Sequence, residues 1–381
     1  MTFKLGRVVR TVTVLGVLYA SASDAAAPTL KVPLTSKLAP NFAGFYNSSA
    51  PLTNAALKVV TSVQTGDDQT FSDILIDTGS AILWVGGQEK YIPGNYTHEI
   101  NQTFSVGYGT GGVSGTAYVD RVTIGTATVD SQIIGDANYT DGFTLVEPLN
   151  GIIGLGPVGS NYGEVSGFNT TPTFVQNLYT EGKISHMIFG IYITSLSESG
   201  IPEGTGEITF GGVDQSRLSG DITWLPQNEP LDFHWEFNAS TLSWGDKLLV
   251  TGPIYSRTDT GVLPIAIPSE AFFDILDDVP GTNVDSSSAL EGCLIFPSNA
   301  TANSLPPLEI GIGNLNFSIP ASSYIVPPTL YSALNITADN MTHTFIAPGG
   351  FGAFDLGQKF LENAYSAYDM ENHMIGFALL A

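Results

Sequence analysis

Cysteine is nearly absent from this chain of 381 residues, where Cys293 stands alone. No intrachain disulfide can form, so the fold must rest on a buried core, which a chain of this length can supply. Cys293 itself reads as a buried thiol. Basic residues are also scarce: Lys and Arg total 13 against 36 Asp and Glu, a net charge of −23. A nucleic-acid backbone or an anionic membrane surface would repel such a protein, which excludes nucleic-acid binding. Its self-repulsion is smallest near the pI of about 4.2, so the composition suits work in acid. The histidines, His98, His186, His234, His343 and His373, show neither His-x-x-x-His spacing nor cysteine partners, so no metal and no cofactor is expected. No apolar run reaches the ~20 residues of a membrane helix, so no stable membrane insertion is expected either.

Glycine and proline are plentiful, with 42 and 22 residues spread along the chain rather than gathered in one tract. That distribution suits many short strands and turns. Strand signals dominate: 57–63, 72–76, 117–124 and 207–210 are short, β-branched and bounded by turns. Helical stretches are few, the clearest being Pro172 to Tyr179 and Pro268 to Leu276. The class is therefore mostly β. The first residues read as an address, because Lys4, Arg7 and Arg10 precede an apolar run from Val12 to Tyr19 and then Ala20-Ser21-Ala22. Cleavage after Ala22 would release a secreted, extracellular protein. Asn-x-Ser/Thr sequons at Asn47, Asn95, Asn101, Asn138, Asn169, Asn238, Asn299, Asn316, Asn335 and Asn340 point the same way.

The tripeptide Asp-Thr-Gly occurs at Asp77-Thr78-Gly79 and again at Asp259-Thr260-Gly261, 182 residues later. One copy in each half suggests two related lobes. The seam falls in the polar, proline-containing stretch from Leu225 to Leu231. The organisation expected is a signal peptide over 1–22, a short propeptide-like segment over 23–56, and catalytic lobes over 57–225 and 226–381. Asp77 follows the apolar Ile74-Leu75-Ile76 and precedes Gly79 and Ser80, so it sits on a tight turn where backbone and hydroxyl groups can hold an acid rigidly. Two such turns face to face would bring two carboxyls close enough to share one proton, since like charges about 3 Å apart do not both ionise cheaply. One acid could then take a proton from a water while the other gives one to a peptide carbonyl, with no metal and no covalent intermediate.

From about Leu57 to Ala381 the chain resembles the pepsin family, in particular its fungal secreted branch without disulfides. The resemblance is carried by Asp77-Thr78-Gly79-Ser80-Ala81-Ile82-Leu83-Trp84-Val85, by the flap-like Val106-Gly107-Tyr108-Gly109-Thr110-Gly111, and by the bracing strands 151–156 and 354–361. It implies a bilobal fold of two related antiparallel β lobes with a substrate cleft between them. It further implies a monomeric aspartic endopeptidase that hydrolyses internal bonds of extended polypeptides at acid pH. Asp77 and Asp259 would carry the chemistry, and Ser80 would bond Asp77. Thr78, Thr260, Gly79 and Gly261 would shape the turns. Tyr108 would close over substrate and meet Trp84, Gly109 and Thr110 would hold the peptide, and Leu75, Leu149 and Ile152 would line the pocket before the scissile bond.

Three features depart from the family's pattern. Val262 stands where a Thr or Ser usually follows the second Asp-Thr-Gly, Arg257-Thr258 replaces the usual apolar approach to Asp259, and the segment over 23–56 is shorter than the family's usual propeptide and holds only Lys31 and Lys37 as basic residues. The third suggests weak or absent zymogen control; the first two keep a second reading open: a pepsin-like protein that binds peptides or cell-wall material without turnover. Other rivals find less support. Gly154 to Gly159 fits Gly-x-Gly-x-x-Gly, but Pro157 and the loop-forming residues after it deny the helix a dinucleotide site needs. Paired acids also serve glycosidases, yet nothing else here argues for sugar chemistry.

Overall fold

The computed structural model describes residues 30–38, 57–67, 69–109, 111–141, 150–195, 206–231, 233–286, 290–332, 334–337 and 339–381. The proposed signal peptide, most of the segment before Leu57, Thr110 and Leu149 lie outside them. Within them the chain is mostly β, arranged as sheets of 13, seven and three strands.

The large sheet has two parts. In one, Leu218–Pro226, Met374–Leu380, Tyr365–Asp369, Ile188–Tyr192, Gly206–Phe210 and Leu30–Leu38 lie side by side, all antiparallel. Strands from the end of the chain therefore pair with strands of its first half, and the two halves share one floor. Leu30–Leu38 continues the sheet by pairing with Leu57–Thr65, which leads into the strands of the first half. The second half is built on the seven-strand sheet, which includes Glu236–Trp244 and Lys247–Thr258.

Within this antiparallel framework, parallel pairs mark a repeated unit. Gln69–Asp77 runs parallel to Gly151–Gly154, which is antiparallel to Leu83–Val85, which in turn runs parallel to Ala127–Asp141. Lys247–Thr258 runs parallel to Ala353–Leu356, which is antiparallel to Ile265–Ile267, which runs parallel to Ile346–Pro348. The sign pattern is the same, so the Asp-Thr-Gly repeat is the visible tip of a structural repeat. Strands paired in this way are buried on both faces and need near-continuous apolar sequence. Ile74 to Asp77 and Gly151 to Gly154 are accordingly all buried.

The helices expected at 172–179 and 268–276 are Phe174–Thr180 and Ser269–Asp278. Phe174–Thr180 begins at a capping box, in which Thr173 and Gln176 bond each other's backbone. Aromatic side chains from both halves meet under the repeated units: Phe189 stacks on Tyr368 with ring centroids 4.7 Å apart, and Trp235 packs on Tyr368 at 5.1 Å. All three are fully buried, and rings of this size dominate core energetics. Cys293 is also fully buried, in a smaller apolar cluster with Leu290 and Phe345, and burial pushes its thiol pKa up.

Candidate active site

Each acid stands where a buried strand runs out into a turn. Gln69–Asp77 ends on Asp77, whose backbone oxygen accepts from Leu155 N at 2.7 Å, so the brace holds the turn from behind. Lys247–Thr258 ends one residue before Asp259, whose amide donates to Leu356 O at 3.3 Å. Arg257 and Thr258 do not interrupt this strand, because Thr258 is buried and its hydroxyl accepts from Tyr368 Oη at 3.3 Å.

The turns are tied across the molecule. Thr78 N donates to Thr260 Oγ1 at 3.0 Å and Thr260 N donates to Thr78 Oγ1 at 3.1 Å, while Thr260 Oγ1 donates to Ile76 O at 2.7 Å. Both threonines are buried, so each hydroxyl satisfies a backbone amide that has no water to turn to. The glycines that follow let the carboxyls meet. A Cβ placed on Gly79 would lie 2.4 Å from Asp259 Oδ2, and one on Gly261 would lie 2.8 Å from Asp77 Oδ1. Any side chain at either position would push the acids apart.

The acids differ in their donors. Asp77 accepts from Gly79 N at 2.8 Å and from Ser80 Oγ at 2.5 Å. Asp259 accepts from Gly261 N at 2.8 Å, and Val262, at the place equivalent to Ser80, has no hydroxyl to add. Burial raises the Asp259 pKa well above the usual carboxylate range, Asp77 and Asp355 raise it further, and the Gly261 amide and Arg257 act against them. Lys58 sits close enough to feel both acids. Burial brings its pKa down to about 8, against the opposing pull of Asp77 and Asp259.

Above the acids, His98–Tyr108 and Gly111–Ile124 form a hairpin that pairs Tyr108 with Gly111, with Gly109 in the turn. The Tyr108 hydroxyl accepts from Trp84 Nε1 at 2.7 Å. Trp84 is fully buried, so this bond holds the hairpin tip against the first half. Burial, and then the charge of Asp77, raise the pKa of Tyr108 and keep its hydroxyl protonated.

A cavity of about 360 Å³ opens over both acids, with Leu75, Ile152 and Tyr108 on one side and Arg257, Gly261 and Val262 on the other. Glu164 also lines it, a residue that no sequence motif marks. Among the described residues its buried Oε2 has no hydrogen-bond partner, and burial, then the charge of Asp77, push its pKa up to about 8. Asp355 was visible only as part of a bracing strand, yet it forms an ion pair with Arg257. Comparing the two halves position by position would have exposed that pair; Glu164 had no such signal. Among the described residues, no cluster of three or more His, Cys, Asp or Glu could hold a metal ion, and no helix is long and apolar enough to cross a membrane.

Comparison with known proteins agrees with this geometry. The eukaryotic aspartyl protease family matches residues 59–380. Polyporopepsin from Irpex lacteus is 32% identical over 342 residues, covering 87% of this chain and 96% of that protein. Pepsin II-1 from Oryctolagus cuniculus is 26% identical over 328 residues, covering 81% and 77%. The crystal structure of the aspartic proteinase from Irpex lacteus superposes with a TM-score of 0.77 at 28% identity, covering 93% of this chain and 98% of that one, so the fold is the bilobal pepsin-like one. This chain belongs to the eukaryotic aspartyl protease family, and by that membership it is a hydrolase of the aspartic endopeptidase type.

Proposed function

We propose that the protein is a secreted, monomeric endopeptidase that cuts extended polypeptides in acid, with Asp77 and Asp259 as the catalytic pair. The observation that carries this reading is the approach of the two turns, in which the glycine of each leaves room for the opposite carboxyl. Two buried acids so close hold one proton between them and titrate as a pair. The donors are unequal, two on Asp77 against one on Asp259, so the charge of the pair is assigned to Asp77 and the shared proton to Asp259.

In the reaction, Asp77 takes a proton from a water as its oxygen attacks the peptide carbonyl carbon, and Asp259 gives its proton to the carbonyl oxygen. The resulting tetrahedral diol collapses with cleavage of the C–N bond as Asp77 passes the proton it took to the leaving nitrogen and a diol hydroxyl returns a proton to Asp259, which restores the pair. Tyr108, Gly109 and Thr110 cover the substrate. Leu75, Leu149 and Ile152 take an apolar side chain before the scissile bond. The lobes over 57–225 and 226–381 each bring one acid.

Export is supported by the signal-like start and by the sequons. Asn95, Asn101, Asn138, Asn169, Asn238, Asn299, Asn316, Asn335 and Asn340 are all exposed, as glycan attachment requires. A second reading, binding of peptides without turnover, is favoured by the donor that Val262 fails to give Asp259. Digestion of a denatured protein at acid pH, with and without pepstatin, separates the two. Cleavage blocked by pepstatin supports the peptidase. An inert protein that still binds pepstatin supports the binder.

A further inference from the structure

Because the two halves repeat one strand pattern, each position beside Asp77 has a counterpart beside Asp259. Leu75 stands two residues before Asp77 and pairs with Ile152, two residues before Gly154. Arg257 stands two residues before Asp259 and pairs with Asp355, two residues before Gly357. The apolar pair of one half is thus an ion pair in the other.

The members of the ion pair are not equally placed. Arg257 lines the cavity beside Asp259. Its side chain is 39% exposed against 15% for Asp355, so of the two it is Arg257 that is open to the cavity. Arg257 Nη2 donates to Asp355 Oδ2, which is the one hydrogen bond of that guanidinium among the described residues. A guanidinium carries five N–H donors in a planar fork, so most remain for an acceptor in the cleft. Asp355 holds the fork from behind, Glu236 is its cross-strand neighbour, and Asp259 lies alongside. His234 lines the same cavity, and Tyr255 precedes Arg257 by two positions on the strand.

We propose that Arg257, backed by Asp355, is a specificity-determining residue that selects an Asp or Glu side chain directly after the scissile bond. The proposal rests on the peptidase reading and on the apolar pocket of Leu75 and Ile152 taking the residue before that bond. A peptide crossing between the acids lays its next side chain against the equivalent pocket of the other half. An apolar side chain there strips water from the guanidinium and returns nothing. A carboxylate restores the lost hydrogen bonds with a charge-assisted, bidentate pair, the geometry for which Arg is suited and Lys is not.

The test uses quenched peptides that differ only in the residue after the scissile bond, Glu or Leu, at about pH 5, where a free Glu is mostly ionised. Wild type is expected to favour the Glu peptide in kcat/KM by about tenfold or more, the size of one charge-assisted hydrogen bond. The double variant Arg257→Leu/Asp355→Ile copies the pair of the first half and removes both members of the ion pair together, so Asp355 is not left buried without its partner; it is expected to reverse the preference. Its cleavage of the Leu peptide reports that the dyad is intact. Should the double variant not fold, Arg257→Gln keeps the length, removes the charge, and is expected to lower the Glu-to-Leu ratio by itself. An equal ratio in wild type and variant, or a wild-type preference for Leu, overturns the proposal with the peptidase reading intact. A wild type inert on both peptides overturns the peptidase reading, and the proposal with it.

Discussion

Thr78 and Thr260 exchange hydrogen bonds, the amide of each donating to the hydroxyl of the other at 3.0 and 3.1 Å. This exchange joins residues 182 apart in sequence, and it joins the two repeated units at the point where their acids emerge.

Removing either hydroxyl leaves a buried amide unsatisfied. Thr78→Val and Thr260→Val are each expected to cost about 1–3 kcal/mol of stability in urea unfolding, and the serine variants less. Because the two bonds form one unit, the double variant should lose clearly less than the sum of the singles. Strict additivity would show that the turns are held independently.

Val262→Thr offers Asp259 the hydroxyl that Ser80 offers Asp77, at nearly unchanged shape. A donor to the ionised form lowers a carboxyl pKa, and Asp259 starts well above the usual range. The acid limb of the kcat/KM profile should move to lower pH by up to about one pH unit. Val262→Ala, which adds no donor, should leave the limb in place. An unmoved limb in the threonine variant would mean that Asp259 already has a second donor.

Glu164 makes stability depend on pH. Its folded pKa of about 8 lies above the 4.5 of an ordinary glutamate, so the folded state keeps a proton that the unfolded chain releases. Stability from this group is complete below about pH 4.5 and is lost as pH rises to about 8. His343 acts in the same direction from about pH 6.5 upward. Burial favours its neutral form, but bonds to Asp285 at 2.5 Å and Asp339 at 3.2 Å outweigh burial and raise its pKa. The melting temperature should therefore be higher near pH 4 than near pH 8, and Glu164→Gln should flatten the decline. Parallel profiles for the two proteins would show that Glu164 is solvated at neutral pH.

What the sequence revealed follows from how each feature is encoded. Strands such as 57–63 and 207–210 announce themselves by β-branched residues between turns, and the structure extends them by a few residues to Leu57–Thr65 and Gly206–Phe210. The acids are legible because the turn that holds them repeats. The shared floor was hidden, because pairing between Tyr365–Asp369 and Ile188–Tyr192 joins segments with no local signal of each other. Glu164 was hidden for the same reason: only the fold brings it over Asp77 and removes its water. Arg257 stood out as a departure. Its meaning needed the register that sets it against Asp355.

One acid cannot act as base and proton donor at once. Cleavage of an unfolded protein at acid pH by Asp77→Asn and Asp259→Asn, each shown folded by circular dichroism, tests it most directly. Activity is expected to vanish in both variants. Wild-type activity in either would contradict the account.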